Sequence, residues 1–406
     1  MAIELRTPTD DDFDAICRAD GRNFLNAYTS AETDRIRRIL DLSRFRILVE
    51  TGEGVRLGGD ERIVGVAGSY AYDATLPGSS TLPIGGVTWV SVAATHRRQG
   101  CLRRLMDAVH EDIDERGEPI ALLGASEGGI YERFGYGIST QMRSTVIDRR
   151  AASVRPEFAA GVADVRFLEG AAAHAHIALV WEQFRRTRAG ELSRDAVWHD
   201  FINEIRSEPM DGMGPAVFLC HPDGYACYRS RAEWDGGHPR SAVEITEFAA
   251  VTPEAHAALW ATLLSLDLVG PITSSMIPLD DPLPFLLDNQ RALRTTELRD
   301  GIWASVRDPS ICFGARTYST TDRFVVEVGT KRWAIEGSPQ EASCTSVRSK
   351  PDLVTDHASF SALLLGGVRP SALARGRRLT ARNDDALRRA DAFFTTGVLP
   401  HCQSHI

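Results

Sequence analysis

Residues 87–109 read VTWVSVAATHRRQGCLRRLMDAV, and their types and spacing suit one kind of chemistry. An apolar strand runs into a short basic turn containing a glycine, and an amphipathic helix follows. The turn, Arg97-Arg98-Gln99-Gly100-Cys101-Leu102-Arg103, sets backbone N–H groups and fixed positive charge at a helix N-terminus. Such a terminus binds a pyrophosphate. The amides of Arg98, Gly100, Cys101 and Arg103 are the expected phosphate donors, and Gly100 permits close approach. The strand before the turn, Val90-Ser91-Val92, offers main-chain groups to an extended ligand arm. A pyrophosphate at one end and an amide-rich arm at the other describe coenzyme A. The plainer reading is an ordinary strand-to-helix turn with a solvated arginine cluster. Rival phosphate motifs are missing: no G-x-x-x-x-G-K-S/T occurs, and no G-x-G-x-x-G follows a strand at this site.

Residues 125–137, ASEGGIYERFGYG, follow a strand expected beside the first. A tyrosine here can hand a proton to the departing thiolate of coenzyme A. An unperturbed phenol has a pKa near ~10 and a thiol near ~8.5, so the surroundings must help the transfer. For Tyr131 or Tyr136 taken alone, packing is the better reading. The chain ends His401-Cys402-Gln403-Ser404-His405-Ile406. Termini fray, yet a free α-carboxylate, with a pKa of about 3.3–3.7, serves as a base when buried beside an ammonium. Other candidates fall away. His174 and His176 point to different faces of one helix. Cys101 has no assignable base, and no G-x-S-x-G exists. The seven cysteines form no C-x-x-C pair, so neither a zinc site nor a disulfide framework is indicated, and no metal is expected.

These residues need elements to hold them. A strand is expected over 2–7, and a helix beginning at Asp12 and capped by Asp10 or Asp11. A second helix fits 30–42, where Ile36, Ile39 and Leu40 share a face. Strands fit 45–50 and 62–72, separated by a glycine-rich turn over 51–61. After the basic turn a helix runs to about Glu115. A buried strand at 119–126, a short helix at 127–137 and a closing strand to about 150 complete a mixed sheet flanked by helices. A linker is read at 150–165. A second unit then repeats this order weakly, with a hairpin turning at Pro222-Asp223-Gly224 and a helix begun by Thr252 and Glu254. It has no R-R-x-G turn after a strand. It is expected not to bind coenzyme A and to serve as scaffold and pocket wall. Beyond about 300, short strands and amphipathic helices at 358–367 and 383–396 form an α+β module without a catalytic cluster.

The chain has 406 residues, 43% hydrophobic and 25% charged, so two or three globular domains are expected. A net charge of −9 disfavours nucleic-acid binding, which needs a basic face. The N-terminus is acidic and lacks the apolar run of a signal peptide, and no stretch of about 18 apolar residues spans a bilayer. A cytoplasmic protein is expected, with secretion by a route without a signal peptide left open.

The residues also carry a resemblance. Residues 90–103 resemble the acetyl-CoA signature of the GNAT acetyltransferase superfamily. THRRQGCLRRLM, ASEGGIYERFGYG, HPDGYACYR and DPLPFLLDNQRALRTTELRDGIWASV together resemble the enhanced intracellular survival (Eis) family of N-acetyltransferases over nearly the whole chain. The resemblance implies an α+β (mixed α/β) fold. A catalytic GNAT domain would span 1–150 and a central GNAT-like domain without the coenzyme motif 151–290. A sterol-carrier-protein-like domain over 291–406 would supply the terminal carboxylate. It further implies a homohexamer, acetyl-CoA as co-substrate, and an amine acceptor: an aminoglycoside-like molecule, a polyamine or a protein lysine. By motif, Val90, Ser91, Val92, Arg98, Gln99, Gly100, Cys101, Leu102, Arg103, Ser126 and Glu127 would contact acetyl-CoA. Tyr131 matches the family's general acid. Its general base, the C-terminal carboxylate, maps to Ile406, where familiar members end in phenylalanine. Trp89 and Phe24 match the substrate pocket, and Asn26 stands where an acidic pocket residue is expected. The implied mechanism is direct attack of the amine, with an oxyanion held by N–H groups near Trp89 and Val90. Two other readings remain: a non-catalytic acyl-CoA- or lipid-binding regulator using the helices after 355, or a different acyl group such as propionyl.

Overall fold

The computed structural model describes residues 2–51, 62–404 and 406. The glycine-rich turn read at 51–61 lies, from residue 52 on, outside the described residues, as does His405.

Seven strands form the first sheet. Six are β1 (Ala2–Arg6), β2 (Phe45–Thr51), β3 (Arg62–Thr75), β4 (Thr81–Val92), β5 (Ile120–Gly124) and β6 (Gly137–Ile138). The seventh, Ile302–Val306, enters from far along the chain and lies between β5 and β6. β4 and β5 run parallel and pair at Ile84–Ile120, Gly85–Ala121 and Gly86–Leu122. β4 then continues to Val92 with no further pairing to β5 among the described residues. The cause of the parting is local. Val66 faces Ser91 but Gly68 faces Thr88, so β4 carries one extra residue, and Trp89 takes a φ of 56°. A bulge bends its strand and increases the twist. The bend turns the end of β4 away from β5 and opens a notch.

Three helices flank this sheet. α1 (Phe13–Phe24) packs Ile16 and Ala19 on the strands and Phe13 and Cys17 beneath the next helix. Its N-cap is Asp12 rather than Asp10 or Asp11, because a 3-10 turn uses Asp10–Asp12 and the Asp12 carboxylate accepts the Thr9 N–H at 2.7 Å. α2 (Ser30–Ile39) stops short of residue 42, as Leu40 turns extended toward β2. α3 (Cys101–Glu115) buries Leu105, Met106, Val109 and Ile113 at helical spacing against the sheet. The helix expected at 127–137 is instead a run of turns with one 3-10 segment, Glu132–Phe134. Gly128 and Gly129 favour no helix, and Gly135, at φ 86°, ends the segment.

The closing strand expected after 137 is two strands. β6 stays in the first sheet, while β7 (Gln141–Asp148) joins the second. Leu293–Asp300 makes the matching move: it lies beside β7, and the chain then re-enters the first sheet as Ile302–Val306. The two segments form one antiparallel ribbon through both sheets, stitched at the crossing by Gly301 N–H to Thr140 O at 3.0 Å and Ile302 N–H to Thr140 Oγ1 at 2.8 Å. The second sheet otherwise holds Val269–Pro278, Ser241–Ala250, Gly224–Arg231, Val217–His221 and Arg166–Leu168, in that order from β7. The hairpin turns at Pro222 and Asp223 as expected. α4 (Gly170–Arg185) and α5 (Ala196–Ser207) follow the linker, which is a chain of 3-10 turns.

A five-stranded sheet with short helices forms the C-terminal module. The helix expected over 358–367 is shorter, His357–Ala362. Phe313, Phe324 and Phe394 fill the module's interior and share one core with Tyr70, Ile84 and Ile120 of the first sheet. The buried Arg316 guanidinium donates to the carbonyls of Leu363, Leu364 and Phe394. Among the described residues no helix is long and apolar enough to cross a membrane.

Candidate active site

The notch between β4 and β5 widens into a cleft of about 690 Å³. Val90, Ser91 and Val92 form one wall, with main-chain groups not taken by β5. Arg98, Gly100, Cys101, Leu102 and Arg103 form the floor, and Ser126, Glu127 and Tyr131 the opposite wall. Phe24 stands at the mouth, 47% exposed. Gln99 is the exception in the turn: it is not in the lining, and its amide donates to Thr95 O at 3.3 Å.

The floor owes its shape to two left-handed residues, Arg98 at φ 62° and Gly100 at φ 78°. A Cβ on Gly100 would meet open space, so the backbone conformation, not crowding, calls for glycine there. Gly100 is the N-cap of α3, and with no side chain it leaves the first N–H groups of the helix without a side-chain cap. Arg97, Arg98 and Arg103 line the same floor, and among the described residues none has an ion-pair partner. The sequence reading missed Asn23, whose amide donates to Ser91 Oγ at 3.2 Å and ties α1 to the wall.

The two tyrosines of 125–137 separate clearly. Tyr136 is fully buried, and its hydroxyl bonds His110 Nε2 at 2.8 Å. Burial pushes His110 down to about 4, so that pair is neutral packing. Tyr131 is buried too, but it lines the cleft. Burial raises its phenol above the ordinary range, and a Ser126 hydrogen bond offsets part of that rise. The phenol therefore keeps its proton until a stronger base appears.

Trp89, Asn26 and Ile406 lie outside the cleft lining. The bulge swings Trp89 toward α1 and α2: its Nε1 donates to Tyr70 Oη at 2.9 Å, and its ring stacks on Tyr28 with centroids 6.0 Å apart. Tyr70 and Tyr72 extend the aromatic belt to Trp198 of α5, at 5.0 and 5.4 Å. Asn26 is exposed and accepts the neighbouring Ala27 N–H at 2.9 Å. The acid of this region is Asp20, which the sequence reading did not single out. It is buried on α1, accepts the Tyr28 hydroxyl at 2.8 Å, and burial raises it to about 6. A carboxylate one helical turn from Ile16 on a buried stripe was the available signal. Ile406 is half-buried against the belt. A Cβ on Gly86 would lie 3.1 Å from Ile406 Cγ2 and 3.0 Å from the Tyr72 ring. The chain end thus sits over the last residue at which β4 pairs with β5. Among the described residues no group of three His, Cys, Asp or Glu side chains is placed to hold a metal.

Residues 4–139 match a family model described as an acetyltransferase (GNAT) domain, and 190–307 match a second of that description. Residues 316–403 match a sterol carrier protein domain, so the expected architecture of two GNAT domains and a sterol-carrier-like module is found. N-acetyltransferase Eis of Mycobacterium tuberculosis is 34% identical over 407 residues, covering 98% of each chain. An uncharacterized N-acetyltransferase of Streptomyces coelicolor is 33% identical over 377 residues, covering 89% of this chain and 91% of its own. The crystal structure of Eis1 from Mycobacterium abscessus covers 100% of both chains at 29% identity with a TM-score of 0.87. A GCN5-related N-acetyltransferase from Anabaena variabilis, 16% identical, shares the fold over 100% of both chains with a TM-score of 0.82. The notch, the basic turn and these relatives agree: the chain belongs to the Eis family of GNAT N-acetyltransferases.

Proposed function

We propose that this N-acetyltransferase moves an acetyl group from acetyl-CoA to an amine of an aminoglycoside-like, polyamine or lysine acceptor by direct attack. One observation carries the reading: the parted strands place a free main-chain edge, unpaired arginines and Tyr131 around a single cleft. Those groups fit acetyl-CoA. The open helix end and the arginines suit its phosphates, and Val90, Ser91 and Val92 suit its amide arm. When bound, it supplies an acyl group activated as a thioester.

The chain's own groups do the rest. The Ile406 carboxylate, directly or through water, takes the acceptor's proton. N–H groups near Trp89 and Val90 hold the oxygen that gains charge. Tyr131, kept protonated by burial, delivers a proton to the leaving thiolate. The aromatic pair Tyr28 and Trp89, with the Asp20 carboxyl behind Tyr28, suits a cationic acceptor. The neutral Asn26 removes one charge from the acceptor side. The family resemblance also favours a homohexamer in the cytoplasm.

Thiol release from acetyl-CoA across a panel of amines tests the reading. Turnover with primary amines is expected, with large losses in Tyr131→Phe and on deletion of Ile406. Full activity in both variants would sink the mechanism. Donor bound without any turnover would favour a regulator instead.

A further inference from the structure

The last residues of the chain are not simply laid on the protein. They are gripped, bond by bond, by the central unit. Leu399 N–H meets Asp280 Oδ2 at 2.7 Å, and Leu399 O accepts from Arg188 at 2.8 Å. His401 N–H meets Ala189 O at 2.9 Å. Glu191, fully buried, uses both carboxylate oxygens on the tail: Oε1 lies 3.2 Å from His401 Nδ1, and Oε2 accepts Gln403 N–H at 3.1 Å. The backbone of Glu191 is fixed in turn to the first sheet, where its carbonyl accepts Thr75 N–H at 3.0 Å. One residue therefore joins the end of β3 to the end of the chain.

Gln403 makes the most specific contact. Its amide brackets the main chain of Phe248, accepting Phe248 N–H at 3.1 Å and donating to Phe248 O at 2.9 Å. Phe248 lies on Ser241–Ala250, just past the last pair that this strand makes with its parallel neighbour, Ile245–Ser274. In the first sheet Val90–Val92 likewise lie past the last parallel pair of their strand, Gly86–Leu122. The central unit has a notch of its own, and the tail's amide occupies its strand edge. From there the chain needs only three residues to reach Gly86.

We propose that Glu191 and Gln403 are positioning residues for the terminal carboxylate, and that the central unit's part in the reaction is to hold the chain end in register over Gly86. The proposal rests on the reading of that carboxylate as the base. A base held loosely loses effective molarity; a displacement of about 1 Å costs on the order of 10²-fold in rate.

The test compares wild type, Gln403→Ala, Glu191→Gln and the Ile406 deletion, each with kcat and both KM values measured across pH. Gln403→Ala is expected to lower kcat on the order of 10-fold while the acceptor is an ammonium, with KM for acetyl-CoA unchanged. The deficit should shrink above the acceptor's pKa, where the amine arrives already neutral and has one proton fewer to give up. Glu191→Gln should follow the same pattern, since it keeps the volume but weakens the grip on the tail. A deficit equal at every pH, as a loss of folded enzyme gives, or one carried by KM for acetyl-CoA, as a damaged donor cleft gives, would overturn the proposal. If the deletion is damaging but Gln403→Ala is silent, the clamp is wrong and the base stands. If the deletion is silent, the base reading itself falls.

Discussion

The first and central sheets follow one plan and put it to different uses. Each runs through antiparallel strands to a bulged strand, then to a parallel neighbour across a helix. In the central copy the bulge sits where Cys227 faces Glu247 but Tyr228 faces Ile245. The helix ends differ in kind. α3 starts at a bare left-handed glycine among unpaired arginines. The central helix, Pro253–Ser265, starts at Thr252, whose hydroxyl accepts Ala255 N–H at 3.2 Å, with Pro253 and the acidic Glu254 next. That end is already capped and repels phosphate. The first notch leaves its strand edge open to a cleft, whereas in the central one the Gln403 amide of the chain's own tail sits on the Phe248 main chain. The two units share the bulge and the parting of strands, and differ in the chemistry of the turn and in what lies on the strand edge.

The sharpest way to test this contrast is Tyr131→Phe, which removes the proton donor and leaves the cleft shape alone. It should lower kcat by roughly 10²–10³-fold with little change in KM for acetyl-CoA. Next, Arg98→Glu with Arg103→Glu should raise KM for acetyl-CoA on the order of 10-fold, and more at low salt, where screening is weak. The mirror substitution Glu254→Arg should leave that KM unchanged; donor affinity gained there would break the contrast. Gly100→Ala forces a Cβ into a left-handed position, costing about 1–2 kcal/mol, and should weaken donor binding without touching the pH profile. The smallest effect concerns His110. Its folded pKa, about 4, lies below the ordinary value of 6.5. The unfolded chain binds the extra proton first, so stability is lost as pH falls from about 6.5 toward 4. Thermal melts of His110→Gln should lack that part of the acid sensitivity, while melts of wild type show it.

Much of the cleft was legible because it is contiguous: strand, turn and helix lie within 90–103, and local spacing dictates their geometry. Tyr131 was readable for the same reason. What stayed hidden depended on partners far away in sequence. Trp89 turns out of the cleft because β3 and β4 pair with a bulge, and no residue type announces a register shift. Gln99 points back to Thr95 because Arg98 and Gly100 invert the backbone on either side of it. Asp20 was overlooked because burial, which gives it meaning, depends on Tyr28 and the sheet beneath. The ribbon of 137–148 with 293–306 was invisible, since each half alone reads as an ordinary strand.

That ribbon also sets a timetable. β5 bears one wall of the donor cleft, and its outer neighbour Ile302–Val306 is made about 180 residues later. At about 5–20 residues per second, a ribosome needs roughly 10–40 s to cover that interval. Through this delay β5 is an unprotected edge of apolar residues, the kind that pairs with other chains. Residues 1–150 made alone would never cover that edge, because Ile302–Val306 is the strand that pairs with β5 on that side.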